Sequence, residues 1–270
     1  MNKYLLSIII PTLNEEKYLP HLLEDLARQH EQNFEVIVVD ACSEDNTKKG
    51  ISPFREKFPL RFLSSSKRNV AFQRNHAVKF AKGNYLIFLD ADCRVLATFT
   101  KRLSIAIAKY GGLLFLPSLA PDVNTPKNKL IFTVVNAVVE ASQSIGRPLP
   151  TASAMFMEKS FFTMIGGYSE NTFVGEDHDF VLRAKRWGVR AKFLKDVRVI
   201  FSLRRARKEG EIVLFSKYVT LAMLMFVNKK VTKSMFQYEM GGHIFSDDEQ
   251  VPLRVKKAIA VKAPKLSRLS

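Results

Sequence analysis

Cysteine is scarce in this 270-residue chain. Cys42 and Cys93 are the only two, too few and too far apart for a disulfide scaffold or a structural zinc site. That scarcity suits a reducing cytoplasm. Long hydrophobic runs are missing as well. The apolar start, Leu5 to Pro11, is seven residues, short of a signal-peptide core or a spanning helix. Ile212 to Val227, 16 residues, is apolar but for Ser216, Lys217, Tyr218 and Thr220, and is short of the roughly 20 residues that cross a bilayer. No repeat or low-complexity segment is visible. No glycine-rich dinucleotide fingerprint follows the early strands and no P-loop occurs, which excludes nicotinamide, flavin and P-loop nucleotide chemistry. Acidic residues are the minority, 26 against 42 Lys and Arg, for a net charge of +16. Such a balance favours anionic partners, whether nucleotide phosphates, nucleic acid or an anionic membrane face. No nucleic-acid-binding motif accompanies it and the aromatics read as core, so nucleic acid is not expected.

What is present is a chain of alternating strands and helices, 47% hydrophobic, enough for one large domain with or without an appendage. Leu5 to Ile10 reads as a buried strand stopped by Pro11-Thr12. Asn14-Glu15-Glu16 opens a helical stretch with Leu19, Leu22, Leu23 and Leu26 on one face and Pro20 in its first turn. Phe34 to Val39 is a second strand ending at Asp40. Two strands joined by a helix form a βαβ unit with a right-handed parallel crossover. A weaker strand spans 60–63. Asn69 to Lys82 reads as a helix with Gly83 as its C-terminal stop, and Gly83-Asn84 as the turn into the next strand. A helix over 97–109 and a strand over 113–116 close a first half of the domain.

The stretch that organises the chain is Tyr85-Leu86-Ile87-Phe88-Leu89-Asp90-Ala91-Asp92. A short apolar run bounded by turn signals reads as a buried strand. Two acids at its carboxyl end stand at the rim of an open sheet, where α/β folds bind ligands. Carboxylates suit hard cations such as Mg²⁺ or Mn²⁺, which keep substrate phosphates as further ligands. Asp40 stands at the same edge, where an acid accepts hydrogen bonds from a base or ribose. Alone, Asp-Ala-Asp is equally a solvated strand-end turn.

In the second half, 127–145 reads as a helix whose broad apolar face of Leu130, Ile131, Val134, Val135, Val138 and Val139 belongs to the core or a packing surface, with a lipid groove as the alternative. An extended segment over 151–157 and a short helix over 159–165 follow. Glu176 and Asp177 precede a helix over 180–187, where acids are also favoured on dipole grounds alone. A strand over 197–201 leads to Arg204-Arg205, a basic pair that either reaches a diphosphate or lies on a solvated or membrane-facing surface. Cys42 and Cys93 read as small buried spacers. The 212–227 stretch reads as a buried or interfacial helix with basic flanks, and the tail after Glu249 holds six Lys or Arg and no acid.

The chain resembles a family 2 glycosyltransferase of GT-A fold. The resemblance is carried by Ser7-Ile8-Ile9-Ile10-Pro11-Thr12-Leu13-Asn14-Glu15 and by Val38-Val39-Asp40 with Ser43, Asp45 and Thr47. Arg74-Asn75 and Gly83 come next, ahead of Phe88-Leu89-Asp90-Ala91-Asp92. Gly166-Gly167-Tyr168 ahead of Gly175-Glu176-Asp177-His178-Asp179-Phe180-Val181-Leu182-Arg183 completes it. These appear in the family's order over about 5–205. The resemblance implies a nucleotide-diphosphate sugar donor, Mg²⁺ or Mn²⁺ at Asp-Ala-Asp, and inversion at the anomeric carbon. It implies Pro11, Thr12, Asn14, Glu15 and Asp40 around the nucleoside, with Arg74, Asp90, Arg204 and Arg205 as further donor contacts. Asp92, with Asp90, would hold the cation, and His243 is a weak further candidate ligand. Asp177 would be the general base, supported on the acceptor side by Glu176, His178, Arg183 and Trp187. Two departures stand out. The family often has a second acid and a glycine where Ala41 and Cys42 stand, and the Gln-x-x-Arg-Trp motif of processive synthases is missing, with Arg183 in place of Gln. A single-transfer enzyme is therefore expected.

The expectation is an α/β fold, a Rossmann-like, mostly parallel sheet flanked by helices. Residues 1–210 would form the transferase domain, with a nucleotide-binding half over 1–117 and an acceptor half over 118–210. Residues 211–270 would form a helical, basic, membrane-associated appendage. The donor would be a UDP-sugar and the acceptor a hydroxyl or a lipid phosphate, as in envelope-glycan synthesis at the inner face of the cell membrane. Two alternatives are a sugar-phosphate nucleotidyltransferase, which would need a glycine-rich phosphate loop after strand one, and a non-catalytic binder of anionic lipid or nucleic acid.

Overall fold

The computed structural model describes residues 4–151, 153–172 and 175–209. The 211–270 appendage, the 212–227 helix and His243 lie outside the described residues. Elements in chain order are β1 (Tyr4–Thr12), α1 (Leu19–Ala27), β2 (Phe34–Asp40), α2 (Thr47–Gly50), β3 (Leu60–Ser64), α3 (Val70–Val78), β4 (Gly83–Leu89) and β5 (Arg94–Val95). They continue with α4 (Phe99–Tyr110), β6 (Leu114–Pro121), α5 (Pro126–Ser144), β7 (Ala154–Glu158), α6 (Lys159–Met164), α7 (Glu176–Arg186), β8 (Lys192–Phe201) and α8 (Arg204–Glu209).

One sheet runs through the molecule in the order β3-β2-β1-β4-β7-β6-β8-β5. The first four strands are parallel. The second half is mixed: β7 is antiparallel to both β4 and β6, and β8 runs parallel to β6. Two reversals leave β6 and β8 pointing the same way as β4. Alternation along β1 sends Ile8 and Ile10 into a core with α1 and α4, and Ile9 into a second core with α3, α6 and α7. Helices therefore cover both faces, which is why the central strands read as continuous apolar runs.

Four sequence expectations are corrected. Strand β1 does not stop before Pro11; Pro11 and Thr12 pair with Val39 and Asp40. Pairing with β4 ends at Ile9, so β1 has one neighbour there and tolerates proline as an edge strand does. Gly83 is neither a helix cap nor a turn. It opens β4, and a Cβ at that position would lie 2.6 Å from the Leu6 carbonyl carbon and the Ser7 nitrogen. Its N–H donates to Ser7 Oγ at 2.8 Å, within a buried knot that Glu35 completes. Of the broad apolar face of α5, Val139 is buried, whereas Leu130 is 66% exposed and Val134 54%. The helix docks through Asn136, whose side chain clasps both the N–H and the carbonyl of Leu119, at 2.9 and 2.8 Å. That narrow seat turns the other stripe outward. Cys93 is buried but Cys42 is exposed, with φ 58°, the left-handed region that favours glycine.

Candidate active site

Strands β1, β2 and β4 end at one edge of the sheet, and β6 and β8 end there too. Between β1 and β4 the strand order reverses, which opens a crevice at the carboxyl ends. On its β1–β2 side, Asp40 accepts from Thr12 Oγ1 at 3.1 Å and from the Ser43 N–H at 2.9 Å. Asn14, at φ 55°, accepts from the Glu44 N–H at 2.7 Å, and the Glu15 N–H donates to Thr47 Oγ1 at 2.8 Å. Gln73 on α3 donates to the carbonyls of Thr12 and Val39, at 3.0 and 2.7 Å. Pro11, Thr12, Asn14, Glu15 and Asp40 are thus all buried around one preformed loop pair. The Ser43, Asp45 and Thr47 positions matter because their side chains wire the loop after β2 to the loop after β1.

Arg74 forms the first charged cluster. Its guanidinium is buried on α3, with Nη2 at 3.0 Å from Asp90 and Nη1 at 2.9 Å from Asp177 and 3.1 Å from Glu176. The aromatic rings of Tyr168 and Phe88 lie 5.3 and 5.9 Å from it. One cation therefore ties the acid after β4 to the acids of α7, 87 residues further on. Glu176 and Asp177 do not precede the helix; they form its first turn, after Gly175 at φ 92°. Burial pushes the Asp177 carboxyl up to about 7, with Arg74 pulling the other way. The Tyr168 hydroxyl is buried beside this carboxylate, with no regular hydrogen-bond partner. Asn75 fixes the Tyr168 backbone from both sides, at 2.9 Å each.

Arg204 forms the second. It is not on a solvated surface. It is 4% exposed, holds both oxygens of Glu15 at 2.7 and 2.8 Å, and places Nε 2.9 Å from Asp92 in an ion pair off the hydrogen-bond direction. The ring of Tyr18 lies 4.5 Å from it. Burial raises Glu15 to about 7 against the pull of Arg204, and burial likewise raises Asp92. Arg205 is half-buried next to Arg204, and its charge acts on Asp92 too.

Asp90 and Asp92 meet their arginines through one oxygen each, Oδ1 and Oδ2 respectively. Among the described residues no third His, Cys, Asp or Glu completes an all-protein cage. Two hard carboxylates without such a cage fit Mg²⁺ or Mn²⁺ shared with phosphate and water, and do not fit structural zinc.

The remaining acceptor-side candidates divide. His178 is buried, and desolvation lowers its pKa, which keeps it neutral. Arg183 pairs with Asp179 at 2.8 Å and donates to the carbonyls of Ile165 and Gly167, at 2.7 and 2.6 Å. It is a strut under the Gly166-Gly167-Tyr168 turn. Trp187 is 60% exposed at the far end of α7, about 15 Å of helix rise from Asp177, and does not join the site. Sequence reasoning missed Tyr18, Gln73 and Tyr168 as site-builders. Tyr168 lay inside a quoted motif; Tyr18 and Gln73 carry no signal outside the fold.

Residues 7–118 match the family model described as glycosyl transferase family 2. An uncharacterized glycosyltransferase of Haemophilus influenzae is 29% identical over 188 residues, 66% of this chain and 61% of that protein. An Escherichia coli protein, UDP-Glc:alpha-D-GlcNAc-diphosphoundecaprenol beta-1,3-glucosyltransferase WfgD, is 33% identical over 92 residues, covering 34% of this chain and 36% of its own. Among solved structures, S. aureus TarS 1–349 in complex with UDP-GlcNAc superposes with a TM-score of 0.59 at 23% identity, over 73% of this chain and 58% of that one. The chain spans less than two thirds of the length of each. The shared fold is GT-A.

Proposed function

This chain belongs to glycosyltransferase family 2 through residues 7–118, and from that premise we propose that it is an inverting, single-transfer enzyme using a nucleotide-diphosphate sugar, with UDP as the carrier. The observation that carries the reading is Arg74. One buried guanidinium joins Asp90 on the donor side to Asp177 on the acceptor side, which is the separation of roles that a single displacement needs.

The nucleoside lies against Pro11, Thr12, Asn14 and Asp40, and the diphosphate reaches the rim at Asp90 and Asp92. These two carboxylates would hold Mg²⁺ or Mn²⁺, which when bound would supply Lewis-acid stabilisation of the departing diphosphate. Asp177 accepts the proton of the acceptor hydroxyl as its oxygen bonds to the anomeric carbon. The bond from that carbon to the diphosphate oxygen breaks on the opposite face, so the configuration inverts and the nucleoside diphosphate leaves with the electron pair. Glu176 and Arg74 orient Asp177 and keep it in place. Arg204 stays paired with Glu15 through both Nη atoms, and its Nε edge, which faces Asp92, would be the part open to the diphosphate. A lipid-linked sugar as acceptor is supported by the activity for which WfgD is named and by the basic balance of the chain.

Calorimetric titration with UDP, GDP, CDP and TDP, with and without Mn²⁺, tests this on wild type and Asp92→Asn. The expected result is cation-dependent binding of UDP that the variant loses. Binding of no nucleotide by the folded wild type would overturn the reading in favour of an anionic-ligand binder, and cation-independent binding would remove the metal from it.

A further inference from the structure

Helix α5 presents an apolar stripe to the outside. Leu130, Val134, Val138 and Ile145 are 66, 54, 50 and 63% exposed. Their spacing puts them in one sector of the helix, with Ala137 and Ala141 between them, over about 22 Å of rise. No charged residue interrupts it. The acids nearest in the chain are both occupied, Asp122 by Arg207 at 3.1 Å and Glu140 by Lys195 at 2.9 Å. Cations stand at both ends. Lys127, in the same sector, is exposed at the start, and at the far end Lys185 donates to the Gly146 carbonyl at 2.6 Å. That contact brings the end of α7 alongside, with exposed Arg186, Trp187 and Arg190.

We infer that this stripe is a lipid-docking surface, and that its partner is an anionic bilayer leaflet. A second copy of the chain is a poor partner. Both ends of the stripe are positive, so a twofold contact sets like charges against each other in either orientation. The chain's own 212–227 stretch is the competing occupant, apolar but for Ser216, Lys217, Tyr218 and Thr220. Its basic flanks meet like charge at the ends of the stripe, and a loss of melting temperature in V134D/V138D would assign the stripe to it and overturn the inference. An anionic lipid surface answers both features at once: the aliphatic side chains enter the acyl boundary, and Lys, Arg and Trp settle at headgroup level. The placement suits a rim chemistry. Strand β6 ends at the same sheet edge as β4, so α5 starts at the catalytic edge and runs away from it, and a docked molecule keeps its crevice beside the membrane. The inference stands on the stripe and its charges, independent of the transferase reading.

Flotation of the full chain with phosphatidylcholine vesicles, with and without phosphatidylglycerol, tests it on wild type and V134D/V138D. Both positions are exposed, so the variant should keep its wild-type melting temperature and UDP affinity. Wild type is expected to float with the phosphatidylglycerol vesicles only, less so as salt rises, and the variant to bind at least about tenfold more weakly. Equal flotation of variant and wild type would overturn the inference by assigning lipid binding elsewhere in the chain. So would a failure of wild type to float, or a wild-type dimer in light scattering that the variant converts to monomer.

Discussion

At the residue scale, the site is a set of carboxylates held by two buried arginines. The chemistry depends on how each acid is left when its arginine is satisfied. Asp177 is the acid most displaced toward neutrality, up to about 7 through burial. In the proposed mechanism Asp177 is the general base, which works in its ionised form. Transfer rate should therefore rise with pH through about 7 and fall about tenfold per unit below it, as the protonated fraction grows. A kcat/KM profile measured at saturating cation would show this acid limb. Asp177→Asn, nearly isosteric and unable to take the proton, should lower kcat by about 10²–10⁴-fold with UDP affinity within a few-fold of wild type. Retained kcat would move the base elsewhere. Arg183 and Trp187 show the converse lesson. Both stand in the motif region, yet one props a turn and the other is exposed about 15 Å of helix rise beyond Asp177, because a helix carries successive residues along its axis as well as around it.

At the element scale, β4 is placed by what it touches at its first residue. Gly83 read as a stop signal, and in a sequence without its partners that is what glycine after a helix means. The close approach of the β1 backbone gives it a different task. Gly83→Ala should destabilise the fold by about 1–3 kcal/mol, because backbone, unlike a flexible side chain, must move to admit the methyl group. Urea denaturation would measure it, and a neutral result would mean β1 and β4 can part at that end. Since β4 delivers Asp90 and Asp92, the same variant should weaken cation-dependent UDP binding. Helix α5 was legible as a helix over nearly its true range, but its burial was not. Periodicity reports an apolar face and is silent on whether a neighbour covers it.

At the scale of the whole molecule, Arg204 closes the domain. It arrives from the last described element and pairs with Glu15 from the first crossover, 189 positions away, and with Asp92. Arg204→Ala would leave two buried acids without their counter-ion, a loss of about 3–5 kcal/mol in the absence of ligands. With the proposed cation site at Asp92, the deficit should shrink when Mn²⁺ and UDP are added, because the added cation would replace Arg204 as the partner of Asp92. Denaturant midpoints with and without both ligands decide this; an unchanged deficit would mean the Glu15 pair alone carries the effect. Among the described residues no helix is long and apolar enough to cross a membrane.

The βαβ start, the strand that ends in Asp-Ala-Asp and the presence of a helix after Gly175 were determined by the sequence alone, because each rests on local pattern, whereas the end of β1, the start of α7 and the short β5 were not. Nor were the partners of the charges. Arg74 bridging Asp90 to Asp177, Arg204 buried against Glu15 and Asp92, Gly83 under the backbone of Leu6 and the outward stripe of α5 all join segments far apart in the chain. A sequence specifies which groups can ionise or pack, and the tertiary fold decides which of them meet out of water, where an unpaired charge costs too much to persist.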